Sequence, residues 1–297
     1  MRELALAKLS ATPPDGDAWL HEQKFDGYRI LAELERGTAT LWTRGGKDWT
    51  DTFRSIADAV EALPAKRATI DGEVAALLPD GRTSFQRLQG GGSELVYFAF
   101  DLLALDGKDL TALPLEARKA QLAALVRGAK GIRYSDHVVG GGAAFFQLAC
   151  EKQLEGIVSK RRDSPYVGGR GGTWLKTKCI ARQELVVGGW TDPSGSRTGL
   201  GALLVGYYEG KTLRYAGKVG TGYTQQMLAE LVTLLAPLAR RASPFEPIPK
   251  EPRVHWVEPT LVVEVAFTEW TTDGRLRHPS FQGLRRDKPA SAVVRES

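Results

Sequence analysis

A lysine between two carboxylates, in the run Glu22-Gln23-Lys24-Phe25-Asp26-Gly27-Tyr28-Arg29, is the strongest local signal for chemistry in the sequence. An uncharged lysine amine is a nucleophile, and desolvation together with neighbouring cations lowers the pKa of a lysine enough to produce that form. The alternative interpretation is an exposed ion pair, which contributes little to stability. Lys24 is therefore a candidate nucleophile, and other segments must supply the groups that activate it.

Two further lysines could provide the neighbouring positive charge. In Trp174-Leu175-Lys176-Thr177-Lys178, the alternation of a β-strand places Lys176 and Lys178 on the same face. If that face lines a pocket, the two ammonium groups form a phosphate site and lower the pKa of a third lysine beside them. If it faces solvent, they are ordinary polar surface.

Carboxylates next to or inside apolar runs are candidates for holding a metal ion. Asp71-Gly72-Glu73 interrupts the run Thr69–Leu78, and Glu155 precedes Gly156-Ile157-Val158. A carboxylate is costly to bury unless it is paired or binds a metal. Glu73 and Glu155 could therefore hold Mg²⁺, which takes carboxylates together with phosphate oxygens and water. Each could equally be a strand-end acid that touches solvent.

Composition narrows the class of protein. The chain has 297 residues, 42% of them hydrophobic and 25% charged, which is typical of a soluble globular protein. The net charge of +5 is compatible with a polyanionic partner without requiring one. Four scattered histidines and two cysteines build neither a zinc site nor a disulfide framework. Because the sequence also lacks a long apolar run and a signal core, we expect a cytoplasmic location and no membrane partner.

Hydrophobic patterns predict an α+β domain with antiparallel sheets over residues 1–182. Strands are expected at Thr69–Leu78 and Leu95–Leu103, and helices from Phe53 to Leu63, over Leu115–Val126 and over Ala143–Gln153. Strands and helices do not alternate strictly, which favours antiparallel pairing.

The pattern changes after Arg182. Three short strands, a helix over Gln225–Leu238 and two strands are predicted for residues 183–297. That order is typical of a small all-β OB-fold barrel, whose usual ligands are nucleic acids. A small barrel without a ligand is the alternative.

Six segments, taken together and in order, resemble the covalent nucleotidyltransferase superfamily of ATP-dependent DNA ligases, RNA ligases and mRNA capping enzymes. The matching segments are Lys24-Phe25-Asp26-Gly27, Thr43-Arg44-Gly45-Gly46, Asp71-Gly72-Glu73, Tyr97-Phe98-Ala99-Phe100-Asp101, Glu155-Gly156-Ile157-Val158 and Lys176-Thr177-Lys178. Within the superfamily the sequence is most similar to the ligase domain of the bacterial end-joining ligase D family. The segments Pro13–Glu22 and Arg277–Lys288 carry that closer similarity, which covers essentially the whole chain. No length remains for a polymerase or phosphoesterase module, so a stand-alone ligase and a piece of a larger protein are both open.

The resemblance implies a role for each motif residue. Lys24 is expected to attack the α-phosphorus of ATP and to carry AMP after pyrophosphate leaves. Glu22 is expected to accept a hydrogen bond from the adenine amino group, and Phe100 to stack on the ring. Ile157 and Val158 are expected to line the base pocket.

Ribose, phosphate and metal are assigned in the same way. Arg29 and Arg44 are expected to contact phosphate or ribose, with Arg44 also engaging the nick. Glu73 is expected to bind the ribose or a metal ion, and Glu155 is expected to bind a metal ion. The metal is expected to be Mg²⁺ or Mn²⁺.

The resemblance assigns five more residues to the phosphates. Lys176 and Lys178 are expected to hold the AMP phosphate. Arg285, Asp287 and Lys288, in the OB-fold domain, are expected to orient the leaving pyrophosphate.

The expected function is an ATP-dependent DNA ligase that seals nicked double-stranded DNA. A hinge near Ala181–Gln183 would let the OB-fold domain close on ATP and then grip DNA. The resemblance also implies end-joining repair, Ku and an end-joining polymerase as partners, a monomeric state and association with the nucleoid. An RNA ligase, a GTP-dependent capping enzyme and an OB-fold binder with an inactive transferase domain are the alternatives. An NAD-dependent ligase is disfavoured, because Met1–Leu20 is too short for its nicotinamide-recognising domain.

Overall fold

The chain folds into two units, residues 1–179 and 180–297. A computed structural model describes residues 3–90, 94–179, 181–193 and 199–296 of the protein. Within these ranges, no helix is both long enough and apolar enough to span a bilayer. Each unit has its own apolar core.

The described part of the first unit contains eleven strands and four helices. In chain order they are β1 (Lys8–Leu9), β2 (Trp19–Gln23), β3 (Tyr28–Glu35), β4 (Thr38–Thr43), α1 (Arg54–Glu61), β5 (Arg67–Leu77), α2 (Phe85–Gly90), β6 (Glu94–Leu105), β7 (Lys108–Asp109), α3 (Leu115–Leu125), β8 (Ile132–Tyr134), β9 (His137–Val139), α4 (Gly142–Glu151), β10 (Gly156–Arg161) and β11 (Trp174–Lys178).

A six-stranded sheet forms the larger layer of this unit. Its strands lie in the order β4-β3-β5-β6-β7, with β8 also paired to β6. The apolar side chains of one face, Ile30 and Ile70 among them, form the core with α1, which contributes Ile56 and Val60. Apolar residues four apart share one face of a helix, which is why the sequence predicts α1 well.

A five-stranded sheet forms the second layer, in the order β1-β11-β10-β2-β9. Helix α4 packs against β2 and β10. A Cβ at Gly142 would lie 2.5 Å from the His21 ring, so only glycine permits this close approach. The predicted α+β class with antiparallel sheets is confirmed, with two parallel pairs, β1–β11 and β6–β8, as exceptions.

One disulfide joins Cys150, in α4, to Cys179, directly after β11. The two cysteines are 29 positions apart. Sequence reasoning excluded a disulfide framework and did not predict this single bond. It ties α4 to the end of the strand that carries Lys176 and Lys178.

The described part of the second unit contains seven strands, one α-helix and two 3₁₀ turns. In chain order they are β12 (Ala181–Thr191), β13 (Leu203–Glu209), β14 (Thr212–Val219), α5 (Gln225–Leu235), a 3₁₀ turn (Ala236–Leu238), β15 (Ala239–Arg240), β16 (Val254–Val257), β17 (Val262–Phe267), β18 (Ser280–Arg285) and a second 3₁₀ turn (Ala290–Ala292).

The long strand β12 organises this unit by pairing with β13, β16 and β17. Helix α5 starts at its N-cap Thr224, whose hydroxyl accepts a hydrogen bond from the Met227 amide, and buries Leu228 and Leu231 in the core. The predicted OB-fold class is confirmed. The additional strand β18 was not predicted, because Gln282-Gly283 interrupts its apolar pattern.

One detail of the second unit differs from expectation. The helix predicted over Gln225–Leu238 ends at Leu235, because Pro237 cannot donate the hydrogen bond that would continue it. Residues Ala181, Arg182 and Gln183 are paired with β17 inside the second unit. The hinge expected near these residues stays a prediction.

Candidate active site

Lys24 directly follows β2 and contacts Glu155. Its amide donates to the Gly156 carbonyl oxygen at 2.9 Å, and its Nζ donates to Glu155 Oε2 at 2.7 Å. The Lys24 side chain is 22% exposed and that of Glu155 is 5% exposed. The predicted nucleophile, Lys24, is therefore in direct contact with a predicted metal ligand, Glu155, and the lysine is partly exposed to solvent.

Strand register places further predicted residues beside this pair. Val158 of β10 lies opposite Glu22 on one side and opposite Lys176 on the other. Paired residues on neighbouring strands project to the same face, so these three side chains share a face, and Lys178, opposite Gly156, joins them. Ile157 projects to the other face and is fully buried. Ile157 and Val158 thus lie on opposite faces of β10, and their expected place at the base pocket stays a prediction.

The Glu22 carboxylate is buried and surrounded by donors. Oε1 accepts from Lys119 Nζ at 2.7 Å, and Oε2 accepts from Lys160 Nζ at 2.9 Å and from Ser135 Oγ at 2.8 Å. Burial alone would raise the pKa of Glu22, but the two lysines outweigh that effect and hold the pKa below its usual value. Glu22 is therefore an ionised acceptor.

Phe100 lies on the six-stranded sheet among cations and a second aromatic ring. Lys160 Nζ is 4.3 Å from the centroid of Phe100 and 4.2 Å from that of Trp174. Burial lowers the pKa of Lys160 to about 8, although Glu22 opposes this shift. Cation–π contact compensates part of the cost of burying this ammonium group.

Arg29 is held in the same sheet by strong hydrogen bonds. Its Nε and Nη2 donate to the two oxygens of Asp71 at 2.9 and 2.6 Å, and its Nη1 donates to the Ala5 carbonyl oxygen at 2.6 Å. Tyr166 also donates to Asp71, at 2.7 Å. Glu73, opposite Arg29 in register, is half-buried. Arg44 lies at the surface, in the turn after β4.

The second unit contains the three other predicted site residues as one charged cluster. Arg285 donates to Asp287 at 2.8 Å and to Glu264 at 3.2 Å, and Lys288 Nζ donates to Glu184 at 2.5 Å. Asp287 is buried. Arg285 and Lys288 are therefore both paired with carboxylates of the same unit.

Sequence reasoning missed the buried residues that support Glu22 and Asp101. Arg118 donates to both oxygens of Asp101, at 2.7 and 2.8 Å, and its neighbour Lys119 donates a hydrogen bond to Glu22. The spacing of apolar residues in α3 could have indicated them, because it places Arg118 on the buried face of the helix, between Leu115 and Leu122. A cation in such a position needs a buried carboxylate as partner.

Comparison with known proteins identifies the family of the chain. A family model described as "ATP dependent DNA ligase domain" matches residues 5–178, and one described as "ATP dependent DNA ligase C terminal region" matches residues 196–288. A solved structure, "mycobacterial DNA ligase D complexed with ATP and MES", is 36% identical with a TM-score of 0.74 and covers 99% of this chain and 98% of that chain.

Two curated relatives are bacterial proteins. The "Multifunctional non-homologous end joining protein LigD" of Pseudomonas aeruginosa is 40% identical over 98% of this chain and 36% of its own length. A LigD of Mycobacterium tuberculosis, described as a "Multifunctional non-homologous end joining DNA repair protein", is 39% identical over 94% of this chain and 37% of its own length. The chain thus spans little more than a third of these relatives. It belongs to the ATP-dependent DNA ligase family, and within that family to the ligase domains of the ligase D type.

Proposed function

We propose that this chain seals nicks in duplex DNA with ATP, through a covalent AMP on Lys24. The contact between Lys24 Nζ and Glu155 Oε2, at 2.7 Å, is the observation that carries the proposal. A reactive amine beside a carboxylate, on a sheet that also carries Lys176 and Lys178, suits displacement at a phosphorus atom.

In the first step the Lys24 amine attacks the α-phosphorus of ATP. The ammonium group must first lose a proton, and Glu155 is within hydrogen-bond reach to accept it. The bond from nitrogen to phosphorus then forms, and the bond to pyrophosphate breaks. Lys176 and Lys178 stabilise the charge on the α-phosphate.

The remaining groups bind the nucleotide in this proposal. Glu22 accepts a hydrogen bond from the adenine amino group. Phe100 and Val158 pack against the adenine ring. Arg29 donates two hydrogen bonds to Asp71. To contact phosphate or ribose, its guanidinium group would have to donate a further hydrogen bond to the nucleotide. Arg44 is exposed, in the turn after β4, and suits a contact with ribose or with the nick.

Glu73 and Glu155 would hold Mg²⁺ or Mn²⁺ when it is bound. Their hard carboxylate oxygens fit such an ion, which takes the rest of its ligands from phosphate and water. The described residues contain no cluster of three or more metal-ligating side chains, so the phosphates would have to complete the site. The ion supplies charge neutralisation at the phosphates.

In the later steps AMP moves from Lys24 to the 5′-phosphate of a nick, and the 3′-hydroxyl displaces AMP. Arg285, Asp287 and Lys288 act only in the first step, where pyrophosphate leaves. Binding to the duplex depends on phosphate contacts and is therefore sensitive to salt.

The names of the relatives support a role in end joining, and the family resemblance alone supplies the rest of the biological setting. We infer that the chain acts in end joining in the cytoplasm, at the nucleoid, as a monomer alongside Ku and an end-joining polymerase. Binding to purified Ku, measured in solution, tests the partnership directly.

One experiment distinguishes the proposed function from its alternatives. The protein is incubated with α-labelled ATP or GTP and Mg²⁺ or Mn²⁺ and then run on a denaturing gel, and the native protein is assayed separately on nicked DNA and nicked RNA. We expect label from ATP, loss of label in Lys24→Ala, and sealing of nicked DNA. Label from GTP alone would indicate a capping enzyme, sealing of RNA alone an RNA ligase, and binding without label an inactive transferase.

A further inference from the structure

The carboxylate of Glu22 accepts three hydrogen bonds from side chains of the described residues. An ionised carboxylate offers about four acceptor positions, two on each oxygen. Lys160 and Ser135 occupy both positions on Oε2, and Lys119 occupies one on Oε1. Within the part of the chain that the structure describes, one position on Oε1 is therefore left for a donor from a ligand.

Glu22 faces the site that contains Lys24. It lies in register with Val158, next to Lys176, and two residues before Lys24 in the chain. A ligand bound along this face meets an acceptor whose charge and position are already fixed. Pre-positioned groups of this kind discriminate between ligands far better than mobile ones.

The donors that fix Glu22 are themselves anchored. Lys119 is 1% exposed, donates a second hydrogen bond to the Ser135 carbonyl oxygen at 2.9 Å, and lies 4.5 Å from the centroid of Tyr134. The Ser135 amide donates to the Ala99 carbonyl oxygen at 2.8 Å, beside Phe100. Position and charge at Glu22 therefore depend on α3 and on the segment after β8, neither of which contains a motif residue.

We propose that Lys119 and Ser135 are positioning residues that set nucleobase specificity, because they hold Glu22 with one acceptor position on Oε1 directed to the 6-amino group of adenine. The inference rests on the proposed nucleotide transfer to Lys24. Adenine presents an amino group at its 6-position, whereas hypoxanthine presents a carbonyl oxygen there. Two acceptors facing each other in a buried site repel, and the lost hydrogen bond leaves the carboxylate unsatisfied.

Nucleotide transfer to Lys24 from ATP and from ITP, which differ at that one position, tests the proposal. The variants are Lys119→Met and Ser135→Ala, with Lys119→Arg as the conservative replacement and Lys130→Met as an exposed-lysine control. We expect the ratio of kcat/KM for ATP to that for ITP to fall about tenfold or more in Lys119→Met and Ser135→Ala. The fall should come mainly from a higher KM for ATP. Lys119→Arg should restore much of the ratio, and Lys130→Met should keep the value of the unmodified protein.

An unchanged ratio in folded Lys119→Met and Ser135→Ala, or an equal loss with both nucleotides, would overturn the proposal. If Lys119→Met does not fold, Ser135→Ala decides the outcome, because it removes one hydroxyl and no charge. Failure of the proposed function is distinct: the unmodified protein would then show no label on Lys24 with either nucleotide.

Discussion

Lys24 Nζ donates to Glu155 Oε2 at 2.7 Å, and the Glu155 side chain is only 5% exposed. An ammonium group cannot attack phosphorus, so in the proposed reaction the Lys24 amine must lose a proton first. The contact with Glu155 fixes the position of the amine before that step.

Replacing Glu155 by glutamine tests this relationship. Glu155→Gln removes the charge that, in the proposed mechanism, orients Lys24 and accepts its proton, so we expect the rate of AMP transfer to Lys24 to fall by about 100-fold or more. Denatured-gel labelling with α-labelled ATP measures that rate. Glu151→Gln, at an exposed position of α4, is the matched control. A labelling rate in Glu155→Gln equal to that of the control would show that Glu155 is not needed.

Arg285 should matter for the first step and not for the last. Pyrophosphate leaves only when AMP is transferred to Lys24, so Arg285→Ala should reduce that transfer by about 100-fold. Sealing of a nick that already carries AMP should stay within about threefold of normal. The neighbouring Arg286, which is exposed, provides the control Arg286→Ala. Equal loss in both assays would instead point to general damage, since Arg285 also pairs with Glu264 and Asp287.

Lys160 should make stability depend on pH in alkaline solution. Burial lowers its pKa to about 8, against 10.5 for an ordinary lysine. Between these values the unfolded chain binds more protons than the folded one, so the free energy of unfolding gains a contribution that rises with pH. The stability of the unmodified protein relative to Lys160→Met should therefore increase from about pH 8 to about pH 10. Urea unfolding of both proteins measures it, and a constant difference would contradict the shift.

The bond between Cys150 and Cys179 should stabilise the first unit. Closing a loop between residues 29 positions apart restricts the unfolded chain, which contributes about 3.6 kcal/mol. Reduction should lower the midpoint of thermal unfolding, whereas the double variant Cys150→Ser with Cys179→Ser should be insensitive to reductant. If reductant shifts the double variant as much as the unmodified protein, the effect does not come from this bond.

Local pattern predicted the elements better than the contacts between them. The run Thr69–Leu78 gave β5, and the spacing of Phe53 to Leu63 gave α1, because period and burial are local properties. Likewise, Lys176 and Lys178 could be assigned to one face from alternation alone. The support for Glu22 could not be predicted, since Lys119 is 97 positions away and Ser135 is 113. Which face of β10 Ile157 occupies also became clear only from the register with β2.

The most direct test is mass spectrometry of the protein after incubation with ATP and a divalent metal, before any DNA is added. We predict a single AMP on the peptide that contains Lys24, its removal on addition of pyrophosphate, and its absence in Lys24→Ala. Nick sealing by a protein that never carries AMP on Lys24 would contradict the account.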